Sequence, residues 1–196
     1  MIGAVVALVP GFALGSGVGA IAERGRPDVR LPRVLVGSAA AVLGAACFLR
    51  YGVTPRAFIG TFFASVLVVV SVIDVRIRIV PNVIVLPAAG IILVAQIVFY
   101  PDRTLEWVLA TVLAPLPFLV MSLISPQGMG MGDVKLALVL GAALGKLVIV
   151  GLLIGAFAGA VAALILFARY GRAARGRTIP YAPFLAFGGL LAFLIG

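Results

Sequence analysis

Gly128-Met129-Gly130-Met131-Gly132-Asp133-Val134-Lys135 carries an acidic side chain into the start of an apolar segment. An ionisable residue in or beside a bilayer costs roughly 2.5–3.5 kcal/mol on insertion scales, so it requires a function and a partner. A second acid, Asp74, directly follows another apolar run. We therefore expect Asp133 and Asp74 to be partners, provided that the arrangement of the membrane spans brings them together.

The composition is typical of an integral membrane protein. Of the 196 residues, 64% are hydrophobic and only 11% are charged, whereas soluble domains have roughly 45–50% and about 25%. The stretches between apolar runs are short, so residues 1–196 are predicted to form a single transmembrane domain. The net charge of +9 comes from basic clusters between apolar runs, which suit membrane lipid headgroups and argue against nucleic acid as a partner.

The sequence also excludes several kinds of site. It contains no histidine, which removes Ser-His hydrolases, HExxH metalloproteases and histidine metal sites. Its single cysteine, Cys47, can form neither an internal disulfide nor a multi-cysteine zinc cluster. We therefore predict no metal and no cofactor. The start of the chain lacks a basic region and is expected to be a retained helix rather than a cleaved signal peptide.

The apolar segments predict an all-α fold, a polytopic membrane protein with about eight transmembrane helices, one of them short. A hydrocarbon core of about 30 Å requires about 20 apolar helical residues, but the sixth segment has only twelve residues and reaches ~18 Å. Prolines are expected to kink the fifth segment. The predicted segments are 2–22, 34–49, 58–73, 83–100, 107–124, 134–145, 147–167 and 179–196.

The short segment 134–145 could instead be the front half of one long helix. Such a helix would place Lys146 well inside the bilayer at a cost of ~3 kcal/mol. With eight spans and both termini outside, eleven Lys and Arg residues lie in cytoplasmic loops and four lie outside, as the positive-inside rule requires. Asp74 and Asp133 then both emerge on the cytoplasmic side, although 59 residues separate them.

Each acidic motif also has a simpler structural explanation. Asp74 lies before Pro81, which cannot continue a helix, so it could be an ordinary loop aspartate paired with a nearby arginine. Asp133 could be the N-cap of a helix after a flexible turn. Lys135 could anchor the chain at lipid headgroups or help to fix the substrate or the two aspartates.

The glycines before Asp133 indicate which kind of site this loop could form. Gly130 and Gly132 allow unusual backbone conformations and a close approach to another chain, which a site for an extended peptide would need. A dinucleotide-binding loop is excluded because no strand precedes the run and the spacing is wrong. A potassium filter would need a preceding Thr-Val, which is missing.

Two carboxyl groups brought together at a membrane surface are what aspartic proteolysis requires. Like charges a few ångströms apart cannot both ionise, so the pair holds one proton. The ionised member can then activate water while the protonated member polarises the scissile carbonyl. Helix dipoles favour Asp133 as the base and Asp74 as the acid, because they lie at the start and the end of their helices respectively. The charges of Arg76 and Arg78 favour the opposite assignment, so the sequence leaves open which aspartate holds the proton.

These residues resemble the aspartic prepilin peptidases, the type IV leader peptidase family. The resemblance covers about residue 58 to the end of the chain and is carried by three motifs: Asp74 with Ile79-Val80-Pro81-Asn82, the Gly-x-Gly-Asp run from Gly130 to Leu136, and the segment 179–188. It implies an inner-membrane endopeptidase that cleaves the basic leader of prepilin-like precursors at the cytoplasmic face. It implies Asp74 and Asp133 as the catalytic residues, with substrate-binding or site-shaping roles for Gly130, Gly132, Lys135, Pro81 and Asn82.

The chain departs from the family in one respect, and two other functions remain open. Full-length bacterial members carry a cytoplasmic methyltransferase insert with two CxxC pairs, whereas here residues 23–33 form a short loop without cysteine. The resemblance therefore implies peptidase activity alone. One alternative is a small channel or transport subunit in which the glycine-rich loop and the two aspartates bind cations. The other is a structural membrane subunit whose aspartates only end helices.

Overall fold

The computed structural model describes residues 2–25, 31–124, 130–171 and 179–196. Over these ranges the chain is helical and has no strand. The helices are α1 Ile2–Gly25, α2 Arg33–Tyr51, α3 Pro55–Ile77, α4 Asn82–Phe99, α5 Thr104–Leu113, α6 Leu116–Ile124, α7 Met131–Leu144, α8 Val148–Tyr170 and α9 Ala182–Ile195, with 3-10 turns at Pro101–Arg103 and Gly145–Leu147.

The protein is an all-α polytopic membrane protein, as predicted. Within the described ranges, five helical stretches are long and apolar enough to cross a membrane, and α9 is a shorter apolar helix. The five stretches are Arg33–Tyr51, Pro55–Ile77, Asn82–Phe99, Pro101–Ile124 and Met131–Tyr170.

α1, α2 and α3 pack antiparallel through small residues. A Cβ atom added to Gly11 would lie 2.8 Å from the Cα of Ala41, and one added to Gly44 would lie 2.7 Å from the Cγ2 of Thr61. Lipid tails are as apolar as the helices, so helices in a membrane associate through close contacts of this kind. The pairing places the start of α2 and the end of α3 at the same end of the bundle.

α3 is the central helix, and it contacts α1, α2, α4, α7 and α9. Most of its residues between Ala57 and Asp74 are buried. We predicted that the third span ends at Ile73, but the helix continues to Ile77. Asp74 therefore lies inside the last turn of α3 rather than beyond its end.

The short sixth segment is observed as α7, which has 14 residues and a length of about 21 Å. Gly145, with φ of +56°, ends α7 and begins the turn into α8. α8 then runs antiparallel to α9, because Gly159 packs on Tyr181 at the start of α9 and Leu147 packs on Gly196 at its end. Since α7 begins near Tyr181, the chain reverses between α7 and α8. The geometry therefore matches two separate segments rather than one long helix.

The predicted kink in the fifth segment is confirmed as a break at Ala114 and Pro115, which separates α5 from α6. Beyond the break, α6 packs against α7. The Oγ of Ser122 lies 3.4 Å from the Sδ of Met131 at the first position of α7. The break thus brings the end of α6 to the start of α7.

The opposite ends of the same helices form what we call the far end: the end of α9, the start of α5 and the α7–α8 turn. Arg50 donates its Nε–H to the carbonyl oxygen of Leu194 at 3.0 Å. The backbone N–H of Lys146 donates to Glu106 Oε1 at 3.0 Å, and Arg103 pairs with the same carboxylate. Arg56 lies over the ring of Phe193 near the end of α9. The far end therefore holds the four basic residues that the predicted topology places outside, Arg50, Arg56, Arg103 and Lys146.

Candidate active site

Asp74 is held by the first residue of α9. It is only 7% exposed, and its Oδ2 accepts a hydrogen bond from the backbone N–H of Ala182 at 3.1 Å. The first amides of a helix have no partner within the helix, and this carboxylate supplies one. Asp74 is therefore not an ordinary solvated loop aspartate. The site end of the molecule is the place where α3 ends and α7 and α9 begin.

Arg78 turns the chain directly after Asp74. Its backbone has φ of 55° and ψ of 40°, the left-handed region, and its N–H donates to the carbonyl oxygen of Asp74 at 2.8 Å. This conformation is uncommon for residues other than glycine. It ends α3 and starts the connection from Ile79 to Pro81, which leads into α4. Pro81 is the buried N-cap of α4.

Asp133 is the third residue of α7. Gly130 is the N-cap, so the simpler explanation of Asp133 as the capping residue is wrong. The Asp133 side chain is half-buried, in contrast to Asp74. The carboxylates of Asp74 and Asp133 interact electrostatically. The structure thus brings together two acids that the sequence separates by 59 residues.

Two contacts join the connection after Asp74 to the helix that carries Asp133. The Nζ of Lys135 donates to Asn82 Oδ1 at 2.7 Å. Val80 covers the α-carbon of Gly132, where an added Cβ would lie 2.8 Å from Val80 Cγ2. The two aspartate motifs are therefore in direct contact.

The glycines serve only one of the two roles that we predicted. Neither Gly130, with φ of −78°, nor Gly132 has a positive φ, so the expectation of an unusual backbone conformation is wrong for both. Gly132 is needed for the close approach of Val80. Gly130 is exposed, and among the described residues an added Cβ would meet only the nitrogen of Gly132 at 3.8 Å. Residues 128 and 129 of the same run lie outside the described ranges.

Sequence reasoning missed three residues of this site. Val80 and Ala182 make the contacts described above, and the half-buried ring of Tyr181 packs against Gly159 within electrostatic range of Asp133. All three residues fall within the motifs that carried the resemblance. The resemblance did not reveal their contacts, because Ala182 acts through its backbone N–H and Val80 through a small apolar side chain.

The described residues contain no group of three or more His, Cys, Asp or Glu side chains that could hold a metal ion. The arrangement offers two interacting carboxyl groups, one anchored by a backbone amide and one half-exposed. Such a pair can exchange protons with a water molecule and a polar substrate group.

Comparison with known proteins gives two matches. The sequence profile of the type IV leader peptidase family matches residues 61–164, which is more than half of the chain and includes both aspartates. A prepilin leader peptidase/N-methyltransferase of Bacillus subtilis (strain 168) is 32% identical over 161 residues, which cover 80% of this chain and 63% of that relative. The chain thus spans less than two thirds of the relative's length. No solved structure matches.

Proposed function

The chain belongs to the type IV leader peptidase family, and from this premise we propose that it is an intramembrane aspartic endopeptidase that removes the basic leader of prepilin-like precursors. One observation carries the proposal. Asp74 and Asp133, on two different helices, lie at one end of the molecule, where their carboxyl groups are within electrostatic range of each other. The relative from Bacillus subtilis, whose name includes the same activity, supports the choice of substrate.

Hydrolysis by the pair needs one proton shared between the two carboxyl groups. The ionised carboxylate removes a proton from water, and the resulting hydroxide adds to the scissile carbonyl carbon. The protonated carboxyl group donates a hydrogen bond and then its proton to the carbonyl oxygen. The carboxyl group that took the proton from water then donates it to the leaving nitrogen, while the other carboxylate takes a proton back from a hydroxyl group of the tetrahedral intermediate. Collapse of this intermediate breaks the C–N bond and releases the new amine and the leader's carboxylic acid, which ionises to the carboxylate. Asp133, the more exposed acid, is the better placed of the two to receive water.

The surrounding residues shape this site. Pro81 and Asn82 begin α4 beside the Asp74 motif, and the bond from Lys135 to Asn82 ties them to α7. Gly132 admits the connection from the first motif, and Gly130 starts α7 at the position that places Asp133 in its first turn.

The distribution of charge supports a site that faces the cytoplasm in the inner (plasma) membrane. Basic residues favour the cytoplasmic side of membrane proteins. Arg24 and Arg33 lie at the site end, since Arg33 pairs with Glu23 across the ends of α1 and α2. In the predicted loop 23–33, residues 26–30 lie outside the described ranges, as do the late arginines 172, 175 and 177. The basic residues described at the site end are Arg24, Arg33, Arg76, Arg78, Lys135 and Arg169, against Arg50, Arg56, Arg103 and Lys146 at the far end.

The test replaces each acid by its amide in cells that also express a candidate prepilin. Asp74→Asn or Asp133→Asn alone is expected to abolish leader removal, because an amide cannot exchange the proton, while the protein still inserts. Asp102→Asn, an exposed acid at the far end, is the matched control and should cleave normally. Leader removal by either catalytic variant would refute the proposal. Ion flux sensitive to both substitutions, without cleavage, would indicate the channel instead.

A further inference from the structure

Val80 is the residue through which the two aspartate motifs touch. It follows Asp74 by six positions, and Gly132 immediately precedes Asp133. A Cβ added to Gly132 would lie 2.8 Å from the Cγ2 of Val80 and 2.9 Å from its Cβ. Carbon atoms in favourable contact are about 3.5–4.0 Å apart. The side chain of Val80 therefore occupies the place that a side chain at position 132 would need.

Val80 has little freedom to move away from Gly132. The residue is 8% exposed, and its β-branched side chain has few rotamers available. Its backbone is restricted because Pro81 follows it, and the connection begins at the left-handed Arg78. The Cβ of Val80 belongs to this restrained segment and cannot swing away as the end of a long side chain could.

Gly132 is equally restrained, because it belongs to α7. Gly132 is the second residue of the helix, two positions after the N-cap Gly130, so a shift of Gly132 moves Asp133 with it. In the same way, a shift of the connection acts on the end of α3, where the Arg78 N–H bonds to the carbonyl oxygen of Asp74.

We propose that Val80 is a positioning residue whose contact with Gly132 sets the separation of the Asp74 and Asp133 carboxyl groups. The inference rests on the proposed function of the pair. It differs from the bond between Lys135 and Asn82, which is polar and more exposed. The proposal also explains why residue 132 is a glycine. Other residues could adopt its backbone torsions, so the position requires glycine for its small size.

A methyl group at position 132 must therefore push the two motifs apart. Relief of the 2.8 Å contact to the usual contact distance of about 3.5–4.0 Å requires a shift of roughly 0.7–1.2 Å. A misplacement of about 1 Å at a catalytic site can cost about a hundredfold in rate. Gly132→Ala should thus lower kcat by about ten- to a hundredfold with little change in KM, because the carboxyl groups act on the scissile bond rather than on binding.

Removal of the opposing atoms should restore the rate. With Val80→Gly, the nearest remaining atom to an added Cβ at 132 would be the residue 80 nitrogen at 3.6 Å, an ordinary contact. The double variant Val80→Gly/Gly132→Ala should therefore recover at least fivefold in kcat over Gly132→Ala. Val80→Ala leaves the Cβ at 2.9 Å, so it should rescue less. This graded order is not expected if the substitution at 132 acts through general destabilisation.

The assay measures kcat and KM for a precursor with purified protein in liposomes, together with the melting temperature of every variant. Gly60→Ala is the control, because its added Cβ would overlap the ring of Phe193 near the start of α3, away from the two aspartates. That variant should lose stability, keep its kcat in the folded fraction, and gain nothing from Val80→Gly. If Gly132→Ala does not accumulate, the double variant must restore both accumulation and cleavage.

Two outcomes would overturn the role of Val80: a kcat for Gly132→Ala within twofold of the parent, or a folded double variant no faster than Gly132→Ala. Both require a parent protein that cleaves and is inactivated by Asp133→Asn. A parent that cleaves no precursor would instead refute the proposed function, so the two failures are distinguishable.

Discussion

The bond between Lys135 and Asn82 allows the two roles proposed for Lys135, shaping the site and binding the substrate, to be separated. The perturbation is Lys135→Met and Asn82→Leu, singly and together, with Asn82→Asp as the conservative variant. The Nζ and Oδ1 atoms are 2.7 Å apart, a short charge-assisted bond. Bonds to charged groups contribute about 1.5–3 kcal/mol. Asn82 is exposed and Lys135 only half-buried, so we use the lower limit, which corresponds to about tenfold in rate.

If the bond shapes the site, each single variant should lower kcat by about tenfold and the double variant should be no worse than either one, because both remove the same interaction. Asn82→Asp keeps an acceptor and should stay within about twofold of the parent. Cleavage of a purified precursor in liposomes gives kcat and KM separately. A raised KM for Lys135→Met, with Asn82→Leu unchanged, would refute this reasoning and assign Lys135 to the substrate.

Two further predictions concern stability, measured as thermal unfolding in detergent. Gly188→Ala should destabilise by about 1–3 kcal/mol, because its Cβ would overlap the backbone carbonyl oxygen of Gly151 and force α8 and α9 apart. No atom of the described residues lies within 4 Å of a Cβ added to Gly90, so Gly90→Ala should be neutral or slightly stabilising. Equal melting temperatures for Gly188→Ala and Gly90→Ala would contradict the close packing of α8 on α9. Asp74→Ala should lower the free energy of unfolding by about 1–3 kcal/mol, because it leaves the buried N–H of Ala182 without an acceptor. Asp74→Asn keeps an oxygen at that position and should lose less stability. Similar melting temperatures for the two variants would contradict the stabilising role of the bond from the Ala182 N–H to Asp74.

The sequence predicted the membrane segments well because bilayer thickness and the cost of buried charge are strong constraints. The separation of α7 from α8 followed from Lys146 and the distribution of the loop charges, and the described turn at Gly145 agrees with it. The end of α3 was predicted one turn too early. Hydropathy falls at Asp74, but the helix ends only where Arg78 adopts a left-handed backbone, and no apolar pattern records that change.

The site was predicted as a set of residues but not as a set of contacts. Asp74, Asp133, Lys135 and Asn82 could be selected because charged and polar groups in an apolar chain are conspicuous. The bond from the Ala182 N–H to Asp74 spans 108 positions and uses a backbone group that every residue except proline has. Such a contact depends on how α9 docks, which the spacing of residues does not encode.

The lengths of the helices explain how water reaches acids in an apolar bundle. α7 and α9 have 14 residues each, about 21 Å, whereas α8 has 23, about 34 Å. The three helices are aligned at the far end, where Leu147 packs on Gly196. α8 therefore extends ~13 Å beyond the starts of α7 and α9, and its last ten residues are largely exposed. Of these three helices, only α8 has the length of a full bilayer core, so we expect Asp133 to lie below the membrane boundary, where water can meet the end of an apolar substrate helix.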